Sequence, residues 1–205
     1  MDQGASWDPE ARAEAGPCVR GAGFESVLRD VRELMAAEVI SESHLAQHLD
    51  PADYAYLEEK IDAQRWYPVG SYRRFLELLC ATDSNTSAET YLIQRGAIAA
   101  ERLRATGTFS MLEVETSQIG LRALGVFITI AEALYNFTRW SGEIDADELG
   151  YTVTAEDAAD YPEVARWVAQ GFLERGAVYV TSNPVRVSSE RPSLDRVIFR
   201  FEFGG

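Results

Sequence analysis

Two histidines one helical turn apart, His44 and His48 in SESHLAQHLD, are the residues best spaced to chelate a divalent metal, with Glu42 and Asp50 nearby as carboxylates. They are the only histidines in the chain. The residue after His44 is Leu45, so the base of a His-Glu-x-x-His metalloprotease helix is missing. Cys80 ends an apolar helical stripe and no histidine follows it, so it reads as a small hydrophobe rather than a nucleophile. The acids Glu143, Asp145, Asp147, Glu148, Glu156, Asp157 and Asp160 gather in turn-like sequence around one expected strand. Paired carboxylates do acid–base work only inside a pocket that perturbs them, and this spacing reads as a solvated acidic face without the alternation of a calcium loop. Phosphate chemistry has no support either: RGAGFES offers Gly21 and Gly23 without a third glycine or a Lys-Ser pair, and there is no Gly-x-Ser-x-Gly elbow. The expectation is a protein that is not an enzyme and carries no metal and no cofactor. A metal-dependent enzyme using His44 and His48 stands last among the readings.

The chain that must position these residues has 205 of them, 46% hydrophobic and 11% aromatic, enough to bury a core as one domain. Its net charge of −14 comes from 33 acidic against 19 basic residues, which argues against nucleic acid or an anionic membrane as partner. Two cysteines far apart, Cys18 and Cys80, make neither a metal spacing nor a disulfide framework and suit a reducing, cytoplasmic setting. The acidic N-terminus is unlike a signal peptide, and the run Ala123 to Ala131 is too short to span a bilayer.

Residues 1–20 lack periodicity and read as a flexible lead; residues 21–205 read as a single α+β domain. Phe24, Val27, Leu28, Val31, Leu34 and Met35 recur at helical spacing. Two short helices are expected over Ser43 to Leu49 and Pro51 to Gln64. Pro68 then forces an elbow at Trp66 and Tyr67, after which Ser71 caps a helix burying Tyr72, Phe75, Leu76, Leu78 and Leu79. A helix capped by Ser84 or Ser87 follows, its Gly96 and alanines suited to close helix approach, and then a more apolar one from Ser117 to Tyr135. The last third changes to strand patterns at GEIDADELGYTVTAEDA, AVYVTSNPVRVSSERP and DRVIFRFEF, with a helix between them that stops at Gly176. The architecture expected is an N-terminal helical layer on a small C-terminal antiparallel sheet, with one helix between its strands.

Several local words, RGAGFESVLRDV, the Trp-Tyr-Pro elbow, QRGAIAAERL and the closing Gly-Phe-Leu-Glu-x-Gly-Ala helix with its strands, resemble a bacterial domain family expanded in myxobacteria. That family is similar to the 4-vinyl reductase, haem-NO-binding and vesicle-tethering-subunit group. The resemblance runs from about Arg20 to Phe203 and implies a noncatalytic small-molecule-sensing or adaptor domain with an apolar pocket, acting through protein contacts. Two features of the group do not carry over. There is no cysteine after Cys80 to bind a metal, and neither the mid-domain histidine nor the Tyr-x-Ser-x-Arg motif of the haem binders is present. By size and placement the pocket is expected to draw on Trp66, Tyr67, Tyr72, Phe127 and Trp167, with Cys80 at its floor. The partners expected are an apolar or aromatic small molecule and another protein, with homodimerisation as a further expectation. The alternative is a self-associating interaction protein without a ligand.

Overall fold

A computed structural model describes residues 16–83, 86–106, 119–144 and 150–203. The chain is α+β, with a helical layer set against a four-stranded antiparallel sheet. The sheet order is β3 (Arg139–Ile144), β4 (Gly150–Glu156), β6 (Arg196–Phe203), β5 (Val185–Ser193), all neighbours antiparallel. One helix, α7 (Glu163–Thr181), lies between β4 and β5 in the chain. Alternation explains the inner face: Val197, Phe199 and Phe201 of β6 are buried while Arg196, Arg200 and Glu202 are exposed, with Ile198 of the opposite face buried as well.

The helical layer comprises α1 (Gly21–Ala36), α2 (Glu42–His48), a 3-10 turn at Pro51–Asp53, α3 (Tyr54–Glu58), α4 (Val69–Thr82), α5 (Ala88–Ala105) and α6 (Ile119–Leu134). In α1 the stripe Phe24, Val27, Leu28 and Val31 is buried, with Leu34 and Met35 packed at its edge; in α4 all five expected residues are buried. Ser87 caps α5 by accepting from the Thr90 amide at 3.2 Å; the other candidate, Ser84, lies outside the described residues. The crossing of α5 on α7 joins the layer to the C-terminal unit. A Cβ on Gly96 would collide with the Val168 carbonyl oxygen, and one on Gly171 with that of Ile93, so both positions require glycine for the backbones to approach.

Several boundaries differ from expectation, each for a local reason. The stretch Pro51 to Gln64 is not one helix: α3 ends at Glu58, and the chain then runs out to a strand. That strand, β2 (Trp66–Pro68), pairs with β1 (Cys18–Arg20), so residues 18–20 belong to the fold; residues 1–15 of the expected lead lie outside the described residues. Helix α4 begins at Val69, two residues before Ser71, because Pro68 ends the strand in extended geometry at φ −58°, ψ 131°. Helix α7 runs through Gly176 to Thr181 and stops at Ser182, whose φ of 57° is left-handed. Gly176 is buried in the helix, so its small size serves packing rather than termination.

Candidate functional site

Of the two residues with the most recognisable metal spacing, His44 serves the cap of its helix. Ser41 Oγ accepts from the His44 amide at 3.4 Å, and His44 Nδ1 accepts from the Ser41 amide at 3.3 Å, closing a capping box at the start of α2. His48 sits at the other end of that seven-residue helix. Among the described residues no His, Cys, Asp or Glu group is arranged to hold a metal ion. Of the acidic stretch, Asp157 takes Arg139 Nε at 2.5 Å, and hydrogen bonds from that guanidinium hold its carboxyl below the usual carboxylate range. Asp145, Asp147 and Glu148 lie outside the described residues.

The elbow at Trp66 and Tyr67 divides its two rings. Trp66, opposite Arg20 in the β1–β2 register, lies under that guanidinium at 3.9 Å. Tyr67 turns inward, where its hydroxyl accepts from the Asp62 amide at 3.0 Å and its ring stacks on Phe24 at 5.0 Å. Phe24 also meets Tyr56 at 5.1 Å and Phe75 at 5.7 Å, which makes a closed aromatic cluster inside the helical layer.

Tyr72 belongs to the edge of that cluster, 6.5 Å from Phe24, and opens a second one. Its hydroxyl is hydrogen-bonded to that of Tyr135, the residue after α6. The Tyr135 ring meets Tyr161 at 5.0 Å and Trp140 of β3 at 6.4 Å, and Trp140 stacks on Phe199 of β6 at 6.0 Å. These rings form the seam between the helices and the sheet. Burial pushes the Tyr72 and Tyr135 hydroxyls well above their ordinary range and raises Tyr161 also, so all three stay protonated donors. The Trp140 indole donates to Thr138 Oγ1 at 2.8 Å, whereas the Tyr161 hydroxyl faces Tyr135 without completing a well-formed hydrogen bond. Asn136 ties the seam to β1: its Oδ1 accepts from the Cys18 amide at 2.7 Å.

Above Tyr161 the seam opens into a groove of about 710 Å³, within the size range of ligand sites. One wall is the first turns of α4, with Val69, Gly70, Arg73 and Glu77. The other is Asp160 to Val164 at the entrance of α7, and the β5–β6 hairpin contributes Arg191 and Leu194. Arg191 is committed to the fold: it donates to the carbonyl oxygens of Ala158 at 3.1 Å, Leu194 at 2.8 Å and Tyr161 at 2.5 Å. Arg73 and Glu77 form an exposed pair at 3.7 Å on the rim, while Leu194 is 72% exposed at the mouth. The groove is therefore apolar along Val69, Pro162, Val164 and Leu194 and charged at its edges.

The six residues expected to line a pocket occupy separate places. Tyr67 and Tyr72 share the aromatic interior of the helical layer, and Tyr72 alone reaches the seam. Phe127 stacks on Phe201 at 5.9 Å, within a third group that includes Tyr151. Trp66 lies beside Arg20, outside these groups. Cys80 and Trp167 each stand three residues beyond a groove wall, after Glu77 and Val164, and both are half-buried. Burial is the main cause that pushes the Cys80 thiol up to about 11, which leaves it unreactive near neutrality. Tyr135, Trp140 and Tyr161 are not among the site residues expected from the sequence. One signal was available: Tyr161-Pro162 precedes α7 as Tyr67-Pro68 precedes α4.

No protein-family model matches the chain, and no curated protein matches it. Solved structures do resemble it in fold. An Fe(II) unliganded H-NOX protein from K. algicida covers 91% of this chain with 97% of its own, at 12% identity and a TM-score of 0.62. An H-NOX protein from S. oneidensis in the Fe(II)NO ligation state covers 91% with 99% of its own, at 12% identity and a TM-score of 0.60. A T. tengcongensis H-NOX mutant gives 12% identity, the same 91% cover with 98% of its own chain, and a TM-score of 0.56. A further structure in this set concerns haem distortion in the H-NOX family.

Among the described residues none is placed to hold a haem. The iron needs an axial donor inside an apolar pocket. Both histidines are on α2, one of them committed to its cap. The buried tyrosines that fill the seam are held protonated, and burial likewise raises Cys18. None of the groove-lining residues is a histidine, cysteine or methionine.

Proposed function

We propose that this chain is a noncatalytic sensory domain that works without haem, taking a small molecule with an aromatic or apolar body and a polar end into the groove between α4 and α7. The observation that carries the reading is the position of the groove, directly over Tyr161 and therefore over the seam where the two layers meet. An aromatic body would lie along Val69, Pro162, Val164 and Leu194, and the charged rim would orient its polar end. Occupancy would change how α4 sits against α7, and Tyr72, on α4, would carry that change to Tyr135. Trp167 and Cys80 would shape the inner end of the groove.

A protein partner would read the altered helical layer, which makes the domain an adaptor as well as a receptor. The setting is cytoplasmic, in keeping with two free thiols. Among the described residues no helix is long and apolar enough to cross a membrane.

The test is a fluorescence titration with anilinonaphthalene sulfonate, an aromatic anion. Saturable one-to-one binding is expected in the wild type, and Val164→Trp, which fills the groove, should abolish it while circular dichroism stays unchanged. An unsaturable response, or equal binding by the folded variant, would remove the groove from the account.

A further inference from the structure

Among the described residues five charged side chains line the groove: Arg73 and Glu77 on the α4 wall, Asp160 and Glu163 on the α7 wall, and Arg191 from the β5–β6 hairpin. Two of them are spent on the fold. Arg191 donates to three carbonyl oxygens, and its Nε also reaches Glu163 Oε2 at 3.2 Å. Glu163 takes Arg166 Nε at 2.7 Å as well, so two guanidiniums from within the chain answer its charge. Neither Arg191 nor Glu163 can turn to a ligand without releasing the entrance of α7.

The other three are not fixed. Asp160 is exposed, and among the described residues its carboxylate has no hydrogen bond and no ion pair. Arg73 meets only Glu77, one turn along α4 at 3.7 Å, and an exposed pair of this kind is weak enough for a ligand carboxylate to replace it. Glu77, half-exposed on the same rim, is then solvated without it. The planar fork of a guanidinium suits a carboxylate in particular. The two walls thus present opposite charges, a cation on α4 and a carboxylate on α7, beside the apolar strip of Val69, Pro162, Val164 and Leu194. A simple acid would meet Asp160 unanswered, and a simple amine would meet Arg73, so each is repelled by one wall. We infer that the groove takes a small zwitterion, an α-amino acid with an apolar or aromatic side chain. Its ammonium pairs with Asp160, its carboxylate with Arg73, and its side chain covers the apolar strip. This rests on the groove being a ligand site, as proposed above, and narrows what enters it. A volume of about 710 Å³ has room for such a molecule.

Isothermal titration of the full chain with L-phenylalanine, phenethylamine and 3-phenylpropionate tests this, because the three share one aromatic body and differ only in their charged groups. L-Phenylalanine should bind one-to-one and about tenfold more tightly than either analogue. Asp160→Asn should abolish its advantage over 3-phenylpropionate, and Arg73→Gln its advantage over phenethylamine. Both side chains are exposed, so both variants should melt as the wild type does. The anilinonaphthalene sulfonate titration, run in parallel, separates two kinds of failure. If the dye saturates and Val164→Trp abolishes its binding, while L-phenylalanine binds no more tightly than its analogues or keeps its preference in both variants, the inference is overturned and the groove stands. If the dye does not saturate either, the groove and the inference fall together.

Discussion

Two aromatic clusters meet at Tyr72, and they differ in how their polar atoms are settled. On the helical side, Phe24, Tyr56, Tyr67 and Phe75 close on one another, and the Tyr67 hydroxyl has a backbone donor at 3.0 Å. On the seam side, Tyr135, Tyr161, Trp140 and Phe199 join three parts of the chain, and the Tyr161 hydroxyl remains poorly matched beneath the groove. The helical cluster does what a hydrophobic core does. The seam keeps one poorly matched hydroxyl, that of Tyr161, at a cost of about 1–3 kcal/mol for a buried group left unsatisfied. Stability should therefore reside mainly in the first region and responsiveness in the second.

Substitutions can break or sharpen that contrast. The largest effect is expected at the crossing that both regions depend on: Gly171→Ala drives a methyl into the Ile93 carbonyl and should cost about 3 kcal/mol or prevent folding, read by thermal denaturation. Phe24→Ala should cost about 3 kcal/mol while leaving the Trp140 environment, followed by near-ultraviolet circular dichroism, close to wild type.

Asp53→Asn should follow at about 2 kcal/mol, because Asp53 is buried and holds Arg74 through bonds of 2.6 and 2.9 Å. Burial alone would raise the Asp53 carboxyl, but hydrogen bonds from Arg74 and Ser71 outweigh it and its folded pKa is lowered. Its contribution is thus complete above the unfolded value of about 3.9 and lost as pH falls through the lower folded value. The wild-type acid transition, measured by circular dichroism, should be steeper than that of Asp53→Asn below that pH. Tyr161→Phe should leave stability unchanged or raise it by about 1 kcal/mol, since it removes a poorly partnered hydroxyl. It should still alter binding in the groove; an equal and large destabilisation at Tyr161 and Phe24 would erase the distinction between the regions.

Much of the layout was legible because period and burial agree. The α1 and α4 stripes repeat at helical spacing, and β6 alternates Val197, Phe199 and Phe201 against charged neighbours. Gly96 was legible for the same reason, as a small residue on an otherwise regular helix. The elbow was only half legible. Pro68 announces a break, but whether Trp66 faces in or out depends on pairing with Arg20, from a stretch with no periodic signal. The seam was hidden because its rings come from Tyr72, Tyr135, Trp140 and Tyr161, which the chain brings together only after the sheet has formed. The His44 and His48 spacing is ambiguous in a specific way: an i, i+4 pair has the same look whether or not it chelates, and the Ser41 contacts show His44 serving as part of a cap.

The most direct measurement is a titration of the purified protein with hemin, followed by its Soret absorbance and by tryptophan fluorescence. The spectrum should stay that of free hemin, with no saturable quenching of the tryptophan fluorescence. A stoichiometric, shifted Soret band would contradict it, since the seam that its own tyrosines fill would then have admitted a prosthetic group.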